Sequence, residues 1–422
     1  MKGRTSIVFK VIEAFSGIGS QAKALKNIGA EYEIIATMDW DISAIIAYDM
    51  IHHGEPNLEE LEGISIDEMK KELKKYTFSS DGKVPLTKEK IDKLNVNVIK
   101  HLFLAIKRSK NLISITDVKG KDLPNEIDLL TYSFPCQDLS IARSWHGENG
   151  GIDRTANNRS GMLWEVERIL KERIDEGLKL PKFLLMENVT NILSNKHEEN
   201  FKDWKSSLEN MGYLKNYVYK LNAADFGMPQ RRVRAYMISV LCDDKNKIEQ
   251  LEKYEKDHNL NDPRYVKSIV KNRISLEEVL RLDYSNSVYK FEAEENNPNN
   301  TPSRQKIYEQ NQLIYDGNNI VCESIQTITT KQDRHPNSGV LNFKSNIEGK
   351  SNYRNLTPRE CFLLMGFDEE DYQILMDNNF EARGKHKFFN KNNLHKMAGN
   401  SIVVNVLEYI FKHILYINDN IL

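Results

Sequence analysis

The chain has 422 residues, 40% of them apolar and 28% charged, the composition of a soluble globular protein long enough for more than one core. Every apolar run is broken by a charge or a glycine well short of the ~18–20 residues a bilayer demands, and Lys10 and Glu13 interrupt the stretch Ile7 to Phe15. Neither a membrane span nor a signal peptide is therefore expected, and the expected location is the cytosol. With 59 basic against 61 acidic residues the formal net charge is −2, which argues against wholesale polyanion binding but leaves room for one basic face.

From Ile7 the pattern is a β/α series. An apolar strand (Ile7 to Ala14) meets the tight turn Phe15-Ser-Gly-Ile-Gly-Ser, and a helix with Ala22, Leu25 and Ile28 on one face closes at Gly29. A second strand, Tyr32 to Met38, ends at Asp39-Trp40, and a helical stretch follows through Ile42, Ile45, Ile46 and Met50. Residues from about 54 to about 112 are lysine-rich, with helical patterns at Leu61 to Tyr76 and Lys88 to Arg108, and read as an insertion between sheet units. Ile113–Ile115 reads as a short strand, and further buried strands are expected at Ile127 to Phe134, Phe183 to Met186, Tyr217 to Leu221 and Val233 to Leu241, with a helix at Leu163–Leu170. Strands alternating with helices imply an α/β fold with a doubly wound, Rossmann-like sheet of largely parallel strands.

The rhythm stops between about Asp243 and Lys350 and returns as apolar periodicity from Leu394 to Ile414. This predicts a first domain over 1–244, a smaller second domain over 245–350, and a return segment over 351–422 whose C-terminal helix packs on the first. The second domain has no basic signature, because residues 261–350 carry as many acidic as basic side chains.

Chemistry concentrates at the strand ends. A strand turning sharply into a helix brings backbone amides near a ligand, and Gly17 and Gly19 permit the approach. Asp39, closing the second strand, can accept both ribose hydroxyls of a nucleoside, and Trp40 can stack on a purine. Asp117, after Ile113–Ile115, is expected to accept from an adenine amino group. Cys136, in Ser133-Phe-Pro-Cys-Gln-Asp-Leu-Ser, follows the apolar run Ile127–Leu130, where a helix N-terminus would favour its thiolate. The other cysteines, Cys242, Cys322 and Cys361, stand far apart without a CxxC pair, so no metal site or disulfide framework is signalled. Glu187, in Met-Glu-Asn-Val, closes another strand on the same rim and is expected to have a raised pKa. In Gln230-Arg-Arg-Val-Arg, alternation places Arg232 and Arg234 on one face of a strand.

In this order the motifs closely resemble those of the cytosine-5 DNA methyltransferases: FSGIGS, DW, PCQ, RSGMLWEVERI (Arg159–Ile169), ENV, QRRVR, RNLTPRECFLLMGF (Arg354–Phe367) and AGNSIVVNVLEYI (Ala398–Ile410), with Thr327-Ile-Thr where the family's target-recognition region often has Thr-Leu-Thr. The family usually has glutamate where this chain has Asp39. The resemblance implies methyl transfer from S-adenosylmethionine, with no metal, to carbon 5 of a cytosine flipped out of duplex DNA. It implies Cys136 as nucleophile, Glu187 as proton donor to ring N3, Arg234 at O2 and Arg232 at the site or the backbone around it. It also implies a cofactor set of Phe15, Gly17, Gly19, Asp39, Trp40, Asp117, Val118 and Asn400, and a loop including Ser140 and Gly147–Gly151 that closes over the base. Sequence choice would lie in 245–350, with Arg264, Arg273, Arg304, Lys331 and Arg334 as candidate contacts. A monomeric bacterial modification enzyme, with a cognate restriction endonuclease as a possible partner, is the expected setting. The same motifs would serve a transfer-RNA cytosine methyltransferase. A dinucleotide-dependent dehydrogenase or a catalytically silent DNA-binding regulator would leave Cys136 and Glu187 unexplained.

Overall fold

The structure is a computed structural model that describes residues 8–135 and 159–422; Cys136, Ser140 and the Gly147–Gly151 stretch lie outside the described residues. Its centre is a six-stranded sheet of β1 (Phe9–Ala14), β2 (Tyr32–Met38), β3 (Leu129–Tyr132), β4 (Phe183–Val189), β5 (Lys215–Asn222) and, after the two-residue β6 (Gln230–Arg231), β7 (Val233–Val240). The order is β2-β1-β3-β4-β7-β5. Neighbours from β2 through β4 run parallel, and β7 alone is reversed, antiparallel to both β4 and β5. Because the strand order turns back on either side of β1 and β3, a crevice opens at their carboxyl ends.

Period-two alternation sorts the strands onto two cores. Val11, Leu129, Phe183, Leu185, Ile238 and Val240 face the helices Ile42–His53, Val96–Arg108 and Val404–Asn420. Ile12, Ala14, Leu130, Leu184, Met186 and Met237 face the helices Leu163–Asp175 and Glu198–Asn210. Buried on both sides, the central strands read as continuous apolar runs rather than as alternation. Glu187 falls on the first face, with Leu185, and Asn188 on the second.

Turn chemistry sets several boundaries. Gly19, left-handed at φ 80°, opens the helix Ser20–Asn27 at a point where a Cβ would sit 2.1 Å from His52 Nε2. In the insertion, the expected helix Lys88–Arg108 is two helices, Lys88–Asp92 and Val96–Arg108, because the Asn95 side chain caps the second by accepting from the Asn97 amide at 2.8 Å. The expected Leu61 to Tyr76 shortens to Ile66–Leu73, opened by a Ser65–Glu68 capping box after Gly63 at φ 84°. Ile113–Ile115 is not a strand: Ile113 has φ 69°, its amide donates to Asn111 Oδ1 at 2.7 Å, and ladder pairing is confined to the single bridge Thr37–Asn111.

After β7 the helix Lys245–Asp257 packs on the edge strand β5, where the Tyr219 hydroxyl donates to Glu255 Oε1 at 2.6 Å and His413 Nε2 lies 2.5 Å from the same oxygen. Leu251, Leu260, Val266, Val270 and Leu276 belong to the same core as Tyr219 and Ile414. The stretch that reads as irregular thus shares the first domain's core before a small sheet forms from β8 (Leu313–Tyr315), β10 (Val340–Asn342) and β11 (Tyr353–Asn355). The short β9 (Ile325–Gln326) pairs instead with β6 and ties the two regions together. Among the described residues no helix is long and apolar enough to cross a membrane.

Candidate active site

A cavity of about 390 Å³ lies at the carboxyl ends of β1 to β4, within the size range of small-molecule sites. Each strand contributes to its wall: Phe15 and Gly17 after β1, Asp39 and Trp40 after β2, Ser133, Phe134 and Pro135 after β3, and Glu187, Asn188 and Val189 at the end of β4. Arg232 enters from just before β7 and Arg234 from the start of that strand, with Asn400 from the end of the helix Lys391–Asn400. The structure therefore gathers most of the expected site residues around one space.

At one end stands the carboxylate of Asp39. Its Oδ2 accepts from the Gly17 amide at 2.8 Å and its Oδ1 from the Asp41 amide at 2.8 Å, so it joins the glycine turn to the second strand end. Burial, and then the negative charge of Asp41, push its pKa up to about 6 against the pull of the two amides and Lys396. Phe15, Met38, Trp40 and Ile115 give this end apolar surface. A carboxylate to accept from hydroxyls, backbone amides and an indole face to stack on are the groups that a nucleoside needs.

At the other end the Glu187 carboxylate lies 3.4 Å from Arg234 Nε. The antiparallel register sets Val189 opposite Arg234, so the two side chains meet diagonally on one face. Burial holds Glu187 above the ordinary carboxyl range, opposed by Arg234 and then Arg232. Arg232 is occupied elsewhere: its guanidinium donates to the carbonyls of Ile328 (2.9 Å), Gly399 (3.1 Å) and Ser401 (2.8 Å). It clasps the segment at Ile328 and the C-terminal segment against β7. Asn188 reaches across the other face and donates to the Phe134 carbonyl at 3.0 Å, which holds the chain just before Pro135 and Cys136.

Three expected cofactor residues do not line the cavity. Gly19 is packed under His52. Val118 is a core residue, 3% exposed, in the apolar cluster with Leu130 and Met186. Asp117 is exposed, and its Oδ2 accepts from the Thr77 amide at 3.2 Å. Without a strand at 113–115, the residues that reach the wall are Ile113, Ser114, Ile115 and Thr116. Sequence reading also missed Thr77, Gly82 and Pro85 from the insertion, and Lys396. Lys396 stands one helical turn before Asn400, a spacing that could have flagged it; nothing local flags the insertion residues.

The family model described as C-5 cytosine-specific DNA methylase matches residues 9–80 and 74–416. The orphan methyltransferase M.SssI of Spiroplasma monobiae is 35% identical over 410 residues, covering 96% of this chain and 97% of that protein. The type II methyltransferase M2.ScrFI of Lactococcus lactis subsp. cremoris is 32% identical over 414 residues, covering 96% and 99%. Among solved structures, the S. pombe Dnmt2 methyltransferase superimposes with a TM-score of 0.57 at 17% identity, covering 97% of this chain and 99% of that one. A putative DNA modification methyltransferase of an E. coli prophage gives 0.50 at 15%.

Proposed function

This chain belongs to the C-5 cytosine-specific DNA methylase family and is a DNA cytosine-5 methyltransferase; from that premise we propose how its own residues bind the reactants and move protons. The supporting observation is that Glu187 and Arg234 form a pair in the wall of the cavity that also holds Asp39, Trp40 and Pro135.

The Asp39 end fits S-adenosylmethionine, with Asp39 accepting from the ribose hydroxyls, Trp40 against the purine, the Phe15–Gly17 turn beside the nucleoside and Asn400 completing the site. When bound, that group supplies the methyl that carbon 5 takes up. Carbon 5 of cytosine is a poor nucleophile, and the Cys136 thiolate activates the ring by forming a bond to carbon 6. A free thiol with pKa ~8.5 is only a few per cent ionised at neutral pH, so a lowered pKa is needed for this step. Glu187 in its protonated form donates to ring N3 as negative charge builds there, and it accepts from the exocyclic amine. Its raised pKa keeps that proton available. Arg234 stabilises the charge at O2, and Arg232 holds the surrounding backbone. Loss of the carbon 5 proton then expels the thiolate by β-elimination.

The substrate is duplex DNA with the target base flipped out, at a cost of a few kcal/mol, and the reader is the segment between β7 and the return helices. We further propose that the enzyme acts as a monomer in the cytosol of a bacterium and protects DNA against a cognate nuclease. Bisulfite sequencing of DNA from cells expressing the protein should show methylated cytosines at one short sequence. Modified cytosines in transfer RNA, with none in DNA, would overturn the reading. Duplex carrying 5-fluorocytosine should trap a denaturant-stable adduct on Cys136, and Cys136→Ser should abolish it.

A further inference from the structure

The turn between β1 and the helix Ser20–Asn27 is fastened from two sides. At the strand ends, the Gly17 amide donates to Asp39 Oδ2 at 2.8 Å, the Ser16 amide to the Met38 carbonyl at 3.1 Å, and the Ser133 hydroxyl to the Phe15 carbonyl at 3.4 Å. The remaining fastening comes from a helix and from no family motif: His52 Nε2 lies 3.0 Å from the Ile18 carbonyl oxygen. A carbonyl only accepts, so in this contact Nε2 carries the hydrogen and donates. Burial pulls the imidazole pKa down to about 3 against the effect of that carbonyl, which keeps the ring neutral near pH 7.

The ring itself has little freedom. Tyr48, one turn earlier on the helix Ile42–His53, packs on it with ring centroids 4.5 Å apart. At Gly19 a Cβ would lie 2.1 Å from His52 Nε2 and 2.7 Å from Tyr48 Cε2, so the glycine leaves the room that the two rings fill. The helix is pinned at both ends. The Asp41 side chain accepts from the Ser43 amide at 3.0 Å, and Arg108 pairs with Asp49 at 3.1 Å while donating to the Gly54 and Glu55 carbonyls at 3.2 Å. Gly17 and Ile18, held by Asp39 and by His52, both line the cavity.

We propose that His52 is a positioning residue of the cofactor site, which holds the Ile18 carbonyl against the helix and so fixes the turn 15–19 in the form that receives S-adenosylmethionine. The inference rests on the reading of the cavity as the site of that cofactor. Without the imidazole donor the carbonyl would turn to water, and the ligand would have to restore the bound form of the turn at a cost in affinity. No local pattern points to this role, because the contact joins residues 34 apart in the chain.

The test is calorimetry with S-adenosylhomocysteine on three variants. His52→Phe keeps a ring against Tyr48 but has no donor, and it should bind about five- to tenfold more weakly, the worth of roughly one hydrogen bond. His52→Gln, whose amide nitrogen reaches about as far as Nε2, should stay within about twofold of wild type. His52→Asn, whose amide stops near the position of Nδ1, should be as weak as His52→Phe. Affinity for duplex carrying the site found by bisulfite sequencing, measured by anisotropy without cofactor, should match wild type in all three. His52→Phe binding S-adenosylhomocysteine as wild type does overturns the inference, even if it melts lower, since the role is then structural only. Parallel losses for both ligands overturn it too, and so does His52→Gln proving as weak as His52→Asn, a comparison that decides the matter if His52→Phe does not fold. A wild-type protein that binds no S-adenosylhomocysteine overturns the cofactor reading itself, and the inference with it.

Discussion

Asp39 carries two duties that pull against each other. Its oxygens already hold the Gly17 and Asp41 amides, and burial beside Asp41 leaves it with a pKa of about 6. Only the ionised form is a full acceptor for two hydroxyls, so affinity for S-adenosylmethionine should rise as the pH passes upward through about 6. Asp39→Asn should flatten that rise in calorimetry, and Asp39→Ala should weaken binding severalfold or more. Unchanged affinity in Asp39→Ala would remove the ribose assignment. Glu13 makes a second, separate titration. It is fully buried on β1, and burial pushes its pKa up to about 7 despite the nearby Tyr48 hydroxyl. An acid whose folded pKa exceeds its unfolded value supports folding while protonated in both states, and that support fades as the pH rises through the folded value. Relative to Glu13→Gln, the wild-type protein should therefore lose roughly 3 kcal/mol of stability between about pH 4.5 and about pH 7 in urea denaturation. A constant difference across that range would refute the burial argument.

Arg232, just before β7, and Arg234, within it, take different parts in the fold. They lie two residues apart on one face, yet Arg232 spends its guanidinium on three carbonyls from two other segments, whereas Arg234 faces Glu187. Removing Arg232 leaves buried carbonyls without donors, at about 1–3 kcal/mol each. Arg232→Met should thus lower the melting temperature by several degrees and loosen the segments at Ile328 and Ser401. Arg234→Met should melt close to wild type but lose roughly a hundredfold or more in kcat, the effect of removing one donor aimed at developing charge. Equal melting losses for both would mean that Arg234 also serves mainly as a clasp. The same scale explains Asn188: its place on the opposite face of β4 from Glu187 lets one strand supply the acid on one side and hold Phe134 on the other.

For the whole molecule, the proposed sequence reader lies between β7 and the return helices. The loops of the small sheet of β8, β10 and β11 carry Lys331 and Arg334, and the helix Pro302–Gln310 before β8 carries Arg304, which pairs with Asp333 while Arg334 lies beside the same carboxylate. Arg264 is paired with Asp262, and Arg273 donates to the Ala224 carbonyl on the side that packs against the first domain's core. Variants Lys331→Ala and Arg334→Ala should be titrated on cognate and single-mismatch duplexes at several salt concentrations. A base-edge contact is worth ~1–3 kcal/mol of discrimination, whereas a phosphate contact weakens all sequences alike and reduces the salt slope by about one. At least one of the two should relax specificity while S-adenosylhomocysteine still binds. If neither does, and a graft of 313–342 leaves a recipient enzyme's target unchanged, the reader lies elsewhere.

Much of the fold was legible because its signals are local. Apolar runs such as Phe183–Met186 are long enough to name a buried strand, and the FSGIGS turn, Asp39, Glu187 and Arg234 each sit at or near the end of one, where an α/β sheet must place its ligands. The Ile113–Ile115 error has the opposite cause: three apolar residues in a row look alike whether they ladder or merely fill a core, and the Asn111 side chain decided for a loop. Likewise no pattern in 243–280 could reveal its union with the first core, because that depends on Glu255 meeting Tyr219 and His413, partners 36 and 158 residues away. The sequence by itself determined the succession of the main strands along the chain, the residue types at their ends and the family to which they point, since periodicity, turns and motifs act over a few residues. Tertiary structure alone decided that Arg232 clasps while Arg234 faces Glu187, that Asp117 accepts from the Thr77 amide, and that the insertion lends the cavity a wall. Those outcomes depend on which distant segments come to lie within about 3 Å of one another, a distance set by hydrogen bonding and by packing that no local pattern encodes.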